Sequence, residues 1–252
     1  EQKLRQRMKI PVFHDDQHGT AIVVGAAILN GLFLQGKELD RVKLVSSGAG
    51  AAALACLDLL VMLGLPVDNI WVTDIKGLVY EGRLEEMDEI KARYAKRTDA
   101  RTLSEVIVGA DVFLGLSAGG VLKPEMVAQM AASPLIMALG RSDYPNQVNN
   151  VLCFPFIFRG ALDVGATTIS DEMKLAAVRA IAELARVEQS EVALKAYGEK
   201  HANFGPEYLI PNPFDPRLIG KIAPAVAEAA MASGVASRPL KDVEAYRESL
   251  HE

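Results

Sequence analysis

Two carboxylates and two imidazoles crowd into His14-Asp15-Asp16-Gln17-His18, directly ahead of the apolar run Thr20–Gln35. Two chemistries are open to such a phrase. Asp15 or Asp16 could cap the helix that begins near Thr20, accepting hydrogen bonds from its first N–H groups at the positive end of its dipole. Alternatively, adjacent carboxylates supply hard oxygen ligands for Mg²⁺ or Mn²⁺, or one binds metal while the other holds a catalytic cation. One cap does not need two acids and two histidines. Zinc is disfavoured, because the ligands would mix imidazole with carboxylate and no further Cys or His stands nearby in sequence. His201 and His251 lie apart from any cluster and read as surface or packing residues.

A second stretch able to do chemistry is Ser47-Gly48-Ala49-Gly50-Ala51-Ala52. It follows a strand-like run at 42–46 and opens an apolar helix over 52–63 closed by Gly64; residues 70–73 then read as a second strand ending at Asp74. Strand, glycine turn, helix, strand and acid is the order of a dinucleotide-binding unit. Gly48 would make the tight turn. Gly50, with Ala49, Ala51 and Ala52 beside it, would let the backbone approach the pyrophosphate, and Ala53 would permit close helix–strand packing. Asp74 could bond the adenosine ribose, which favours NAD slightly over NADP. Lys76 and Lys91 could offset that preference by reaching a 2′-phosphate, whereas Arg83 reads as a surface arginine. The competing reading of the glycines is a plain tight turn.

Downstream, residues 85–94 and 102–108 are expected to be helical, 111–116 a strand, 125–132 a helix that has Pro124 at its first turn, and 135–139 a strand. The loop beginning at Ser117 would then lie at the carboxyl end of a strand, near the nicotinamide. Asn146, Gln147, Asn149 and Asn150 crowd amides ahead of an apolar run, more than a turn needs. Ser170 caps a helix with Met173, Ala177, Ala180, Ile181 and Leu184 on one face, and a Pro-rich stretch leads to another over 217–233 that carries Pro224. Residues 1–9 read as a charged helix stopped by Pro11, and 238–252 as an exposed end or linker. The fold class is α/β: a Rossmann-like, doubly wound, mostly parallel sheet, with flanking helical segments that belong to a second domain.

Composition narrows the function classes. With 252 residues, half of them apolar, the chain can bury one large core or two smaller ones. A net charge of −5, with acids and bases interspersed, offers no basic face for nucleic acid and no polybasic membrane anchor. Neither nucleic acid nor membrane is expected as a partner. Cys56 and Cys153 sit in apolar surroundings and read as buried thiols rather than a disulfide framework, so a reducing, cytoplasmic location is expected.

The phrase Ile10-Pro11-Val12-Phe13-His14-Asp15-Asp16-Gln17-His18-Gly19-Thr20-Ala21 resembles bacterial malic enzymes. The resemblance continues through the glycine turn, Phe113-Leu114-Gly115-Leu116-Ser117 and Gly140-Arg141-Ser142-Asp143-Tyr144-Pro145-Asn146-Gln147-Val148-Asn149-Asn150, to about Ala236. It implies oxidative decarboxylation of malate to pyruvate and CO₂ with reduction of NAD or NADP, dependent on Mg²⁺ or Mn²⁺. By the same resemblance Asp16 is a metal ligand, Asp15 supports the catalytic base, Asn149 lies at the cofactor and Asn150 at the substrate. The cofactor domain would span 15–149, and 1–14 with 150–252 would be parts of a helix-rich second domain whose N-terminal half is absent. The family's general-acid Tyr, general-base Lys and Glu-Asp metal ligands would lie in that absent half, so this chain alone is not expected to turn over. A homo-oligomer, dimer or higher, is the expected assembly.

At Leu139–Gly140 the resemblance breaks: malic enzymes carry a loop, a helix and a strand there, roughly two dozen residues, and without them the chain has no room to cross the sheet in the right-handed sense. A segment skipped in the sequence is therefore favoured over a true deletion. Two other functions share part of the pattern. A non-catalytic nucleotide-binding or oligomerisation fragment would show the same motifs, and a metal-independent amino-acid dehydrogenase would share the glycine turn but not the acidic phrase.

Overall fold

The computed structural model describes residues 1–139, 146–187, 203–213 and 215–250. The junction at Gly140 with the motif up to Pro145, and both His201 and His251, lie outside them. The strands are β1 (Leu44–Ser47), β2 (Ile70–Asp74), β3 (Gly77–Leu78), β4 (Val112–Gly115) and β5 (Leu135–Ala138). The helices are α1 (Gln2–Arg7), α2 (Thr20–Gln35), α3 (Ala51–Met62), α4 (Glu89–Ala92), α5 (Leu103–Val106), α6 (Pro124–Val127), α7 (Phe154–Asp163), α8 (Asp171–Arg186), α9 (Arg217–Ala232) and α10 (Val243–Ser249).

Residues Gly31–Gln147 form one unit, built on a sheet of order β3-β2-β1-β4-β5. β1 pairs in parallel with β2 and β4, β5 extends the sheet in parallel beyond β4, and β3 runs antiparallel, folded back from β2 across a two-residue turn. The expected Rossmann-like topology is what the chain forms. Burial follows position: β1, at the centre, is buried at all four residues, whereas β5 alternates buried and exposed. Val45, Leu78, Val106, Ile107, Ala110, Phe113 and Met130 make one face of the core. Gly31 lies so near Leu135 that a Cβ there would overlap its methyl groups.

Three predicted helices are shorter than expected, the one placed over 102–108 being only α5. The one placed over 85–94 is only α4, because Glu86 has φ +53, and the helix starts where Asp88 accepts a hydrogen bond from the Lys91 N–H. The one placed over 125–132 ends with α6, and Ala131 N–H then bonds Ala110 O, drawing the chain back toward the sheet.

Residues Glu1–Asn30 and Val148–Glu252 form the other unit. α9 packs on α7 and α8, and at Gly160 a Cβ would collide with Ala223 O, so glycine permits that close helix crossing. The sequence reading set residues 15–30 with the cofactor domain; their contacts group them here. Asn30, fully buried, shows why: its amide donates to Ala182 O and Leu209 O and accepts from Arg186 Nε, at 2.9, 2.7 and 2.7 Å. The tail over 238–252, expected to be an exposed end, contains α10, capped by Asp242 and held by the Tyr246 hydroxyl, which donates to Asp163 at 2.6 Å. The helical stretch Asp15–Gln35 is long and apolar enough to cross a membrane by length and composition, yet 67% of its apolar window is buried inside the protein.

Candidate functional site

β1 delivers the chain into the glycine turn. Gly48 has φ +121, a conformation open to glycine, and a Cβ there would also come within 2.8 Å of Leu116 O. Its N–H donates to Thr73 O at 2.8 Å, which ties the turn to the end of β2. Ser47 Oγ and Ser117 Oγ lie 2.8 Å apart, which ties the loop after β4 to the end of β1. The carboxyl ends of β1, β2 and β4 are thus joined where the strand order reverses, the position at which open α/β sheets bind ligands. Gly50 is exposed and extended (φ −79, ψ 176), and a Cβ on it would meet nothing within 4 Å. The first bond within α3 runs from Leu54 N–H to Gly50 O, so the N–H groups of Ala51, Ala52 and Ala53 precede it at the positive end of the helix. Ala53 is 2% exposed, as close packing on the sheet requires.

Asp74 ends β2 as expected, but not as a free carboxylate. Arg83 Nη2 donates to its Oδ2, Lys91 Nζ joins the same oxygen at 3.0 Å, and Lys76 N–H donates to Oδ1 at 2.8 Å. Burial alone would raise the Asp74 pKa; the Arg83 guanidinium, the Lys76 N–H and Lys91 outweigh it and hold the carboxyl below its ordinary range. Arg83, expected on the surface, is 7% exposed, and its other N–H groups donate to Gly77 O, Leu78 O and Glu85 O. Sequence reasoning missed this clamp.

The acidic phrase belongs to the other unit. Asp15–Gly19 forms a wide turn that runs straight into α2, with no side-chain capping bond, so the capping reading is not what the carboxylates do. Asp15 Oδ1 is buried and has no hydrogen-bond partner. Burial raises the Asp15 pKa, and Asp16 adds to the rise, while Asn150 and His14 act against it. Gly19 makes room for this side chain, since a Cβ there would overlap Asp15 Oδ1. Asn150 closes the turn: Thr20 Oγ1 donates to its Oδ1 at 2.9 Å, and its Nδ2 donates to Asp15 O at 3.3 Å. Asn149 is exposed, and its own side chain accepts from Val151 N–H at 3.1 Å.

Asp16 and His14 are exposed, and His18 Nε2 lies 2.9 Å from both Glu1 carboxylate oxygens. Burial first, then Lys174, lower the His18 pKa. Among the described residues no group of three or more His, Cys, Asp or Glu could by itself hold a metal ion. An orphaned buried carboxylate oxygen beside an exposed carboxylate fits a share of a hard-cation site, with further ligands from elsewhere.

Fold and glycine turn together define a dinucleotide-binding α/β protein. Comparison with known proteins narrows the class: the family model "Malic enzyme, NAD binding domain" matches residues 17–143 and 138–195, and the chain belongs to that family. It is 62% identical to an NAD-dependent malic enzyme of Rhizobium meliloti and 61% to an NADP-dependent malic enzyme of Escherichia coli, in each case over 100% of this chain. It spans only 36% of the length of either relative. Malic enzyme structures from Entamoeba histolytica and Pyrococcus horikoshii superpose with a TM-score of 0.83, at 32% and 34% identity, over 99% of this chain and 56% and 62% of theirs. The two stretches of the family match meet at 138–143, and the alignment to the Rhizobium enzyme is 274 positions long against 252 residues here, in keeping with the break at Leu139–Gly140.

Proposed function

We propose that this chain is the cofactor-binding part of an enzyme that oxidatively decarboxylates malate to pyruvate and CO₂, with NAD or NADP as hydride acceptor. The observation that carries the reading is the orphaned, buried Asp15 oxygen beside exposed Asp16 in a family member whose glycine turn stands at the strand-order reversal. Gly48, Ala49, Gly50, Ala51 and Ala52 hold the pyrophosphate on the N-terminus of α3, and Ser117 lines the nicotinamide side. Asp16 holds Mg²⁺ or Mn²⁺ jointly with ligands from another segment. When bound, that ion supplies Lewis-acid stabilisation of negative charge developing on the substrate oxygen. Asp15 holds a cationic partner on Oδ1, and Asn150 fixes the backbone that carries both acids. On the family resemblance we assign Asn149 to the cofactor and Asn150 to the substrate.

On the dinucleotide, Asp74 favours the ribose hydroxyls of NAD, while Arg83 and Lys91 neutralise the charge that would repel a 2′-phosphate. The named relatives include users of each. We keep a slight preference for NAD and place the enzyme in the cytoplasm. The test is Asp16→Ala in the full-length polypeptide: metal-dependent malate turnover should vanish while dinucleotide binding persists. Normal turnover with tight Mn²⁺ binding in the variant would refute the assignment.

A further inference from the structure

Lys91 is a charged residue only 8% exposed, on the four-residue helix α4, which is too short to hold itself in water. Its Nζ donates to Asp74 Oδ2 at 3.0 Å and to Glu86 O. Glu86 presents that carbonyl from a left-handed backbone, φ +53, which glutamate keeps only where its surroundings impose it. A long, flexible side chain is thus fixed at the end of β2 by a segment with little regular structure of its own. The hold must come from another element.

The next turn supplies it. Tyr94 N–H donates to Lys91 O at 3.0 Å, and Tyr94 is buried. The Tyr94 hydroxyl donates to Asp58 Oδ1 at 2.5 Å. Burial first, then Asp58, push the phenol pKa upward, so the group stays a donor at neutral pH. Arg93 Nη2 lies 2.9 Å from both oxygens of the same carboxylate, but that pair is exposed on both sides, and such pairs contribute little. Asp58 belongs to α3, about two turns, roughly 12 Å, beyond Gly50. The Tyr94–Asp58 hydrogen bond therefore joins the ammonium at Asp74 to the helix whose N-terminus faces the pyrophosphate.

We infer that Asp58 and Tyr94 are positioning residues for dinucleotide selection: their hydrogen bond fixes α4 on α3 and so sets where Lys91 stands relative to the pyrophosphate. Asp58 and Tyr94 act through Lys91 and do not themselves meet the ligand. This deepens the cofactor reading and rests on it. A bond that served stability alone would lower the melting temperature and leave the ranking of the two dinucleotides as it is. A positioning bond changes the ranking, because NADP alone carries a 2′-phosphate for Lys91 to meet.

The experiment measures Kd for NAD and NADP, and the melting temperature, of the full-length polypeptide. It compares wild type with Tyr94→Phe, Asp58→Ala, Asp58→Asn, Arg93→Ala, Lys91→Ala, and Tyr94→Phe combined with Lys91→Ala. Tyr94→Phe and Asp58→Ala should weaken NADP binding at least about fivefold and NAD binding by a smaller factor. Asp58→Asn, which still offers an oxygen to the hydroxyl, and Arg93→Ala should bind both like wild type. Lys91→Ala should weaken NADP binding by more, and adding Tyr94→Phe to it should change neither constant further. Wild-type constants in Tyr94→Phe, equal losses for NAD and NADP, or full additivity with Lys91→Ala would overturn this inference alone. Failure of both Tyr94→Phe and Asp58→Ala to fold would also overturn it, the bond then serving the fold. A wild type without measurable NADP affinity, or NADP binding that survives Lys91→Ala unchanged, would overturn the placing of Lys91 at the cofactor, and this inference with it.

Discussion

Gly50→Val tests the glycine turn with little risk to the fold. A Cβ at Gly50 meets nothing within 4 Å, and φ −79, ψ 176 lies in the extended region that valine favours. Two small effects on stability oppose each other: restricting the unfolded chain stabilises by about 0.4–1 kcal/mol, and replacing glycine by valine at an N-cap costs a similar amount. The melting temperature should therefore move by no more than about 3 °C. Binding should behave differently. An isopropyl group in that open space stands between the pyrophosphate and the free N–H groups of Ala51, Ala52 and Ala53. Hydrogen bonds to a charged acceptor contribute about 1.5–3 kcal/mol each, so losing two costs at least about 3 kcal/mol, roughly 160-fold in Kd. Titration of NAD and NADP by calorimetry, beside a melting curve of the same preparation, reads both quantities. An unchanged Kd in a variant that melts like wild type would refute the assignment of this turn to the pyrophosphate.

Asp15→Asn should stabilise the protein at neutral pH. Burial raises the Asp15 pKa, so its ionisation opposes folding once pH exceeds the unfolded carboxylate value; the gain, read by melting curves, should be present at pH 7 and fade below about pH 4. Asp74 has the opposite sign. Its depressed pKa means that the clamp's contribution is complete above about pH 4 and is lost as pH falls through the folded value, so Asp74→Asn should cost about 1–3 kcal/mol at pH 7 in denaturant titrations and converge with wild type in acid. Replacing Lys76, whose exposed ammonium pairs only with Glu85, with Ala should leave kcat/KM for NAD of the full-length enzyme nearly unchanged and lower that for NADP, whereas Lys91→Ala, which removes a hydrogen bond from the Asp74 clamp, should lower both. A tenfold wild-type preference for NADP, about 1.4 kcal/mol, would show that Asp74 does not set the choice.

Local signals carried much of the fold. α2 was legible because apolar residues fall on nearly every side of residues 20–35 and Gly36, at φ +65, ends them. The turn between β1 and α3 was legible because two glycines stand at the spacing a pyrophosphate needs. What escaped was set by partners distant in sequence or by one backbone angle. Arg83 looks like any exposed arginine until the hairpin brings Asp74 and two carbonyls to it. The late start of α4 hangs on the left-handed Glu86, a residue type with no preference for that conformation. In the acidic phrase the residue types pointed to a cation, but that one Asp15 oxygen would lie buried and unpaired depends on the tight fit over Gly19 and on Asn150, 135 residues away.

The placement of the two thiols makes each unit its own clock. Cys56 lies in the unit 31–147 and Cys153 in the other; both are buried, and burial pushes the Cys56 thiol up to about 12 and that of Cys153 upward as well. A thiol so protonated reacts with an alkylating agent only when its surroundings open. The labelling rates of Cys56 and Cys153, separated by mass spectrometry of the peptides, therefore give the opening free energies of the two units independently. A dinucleotide that grips only the glycine turn should slow the first rate and leave the second untouched.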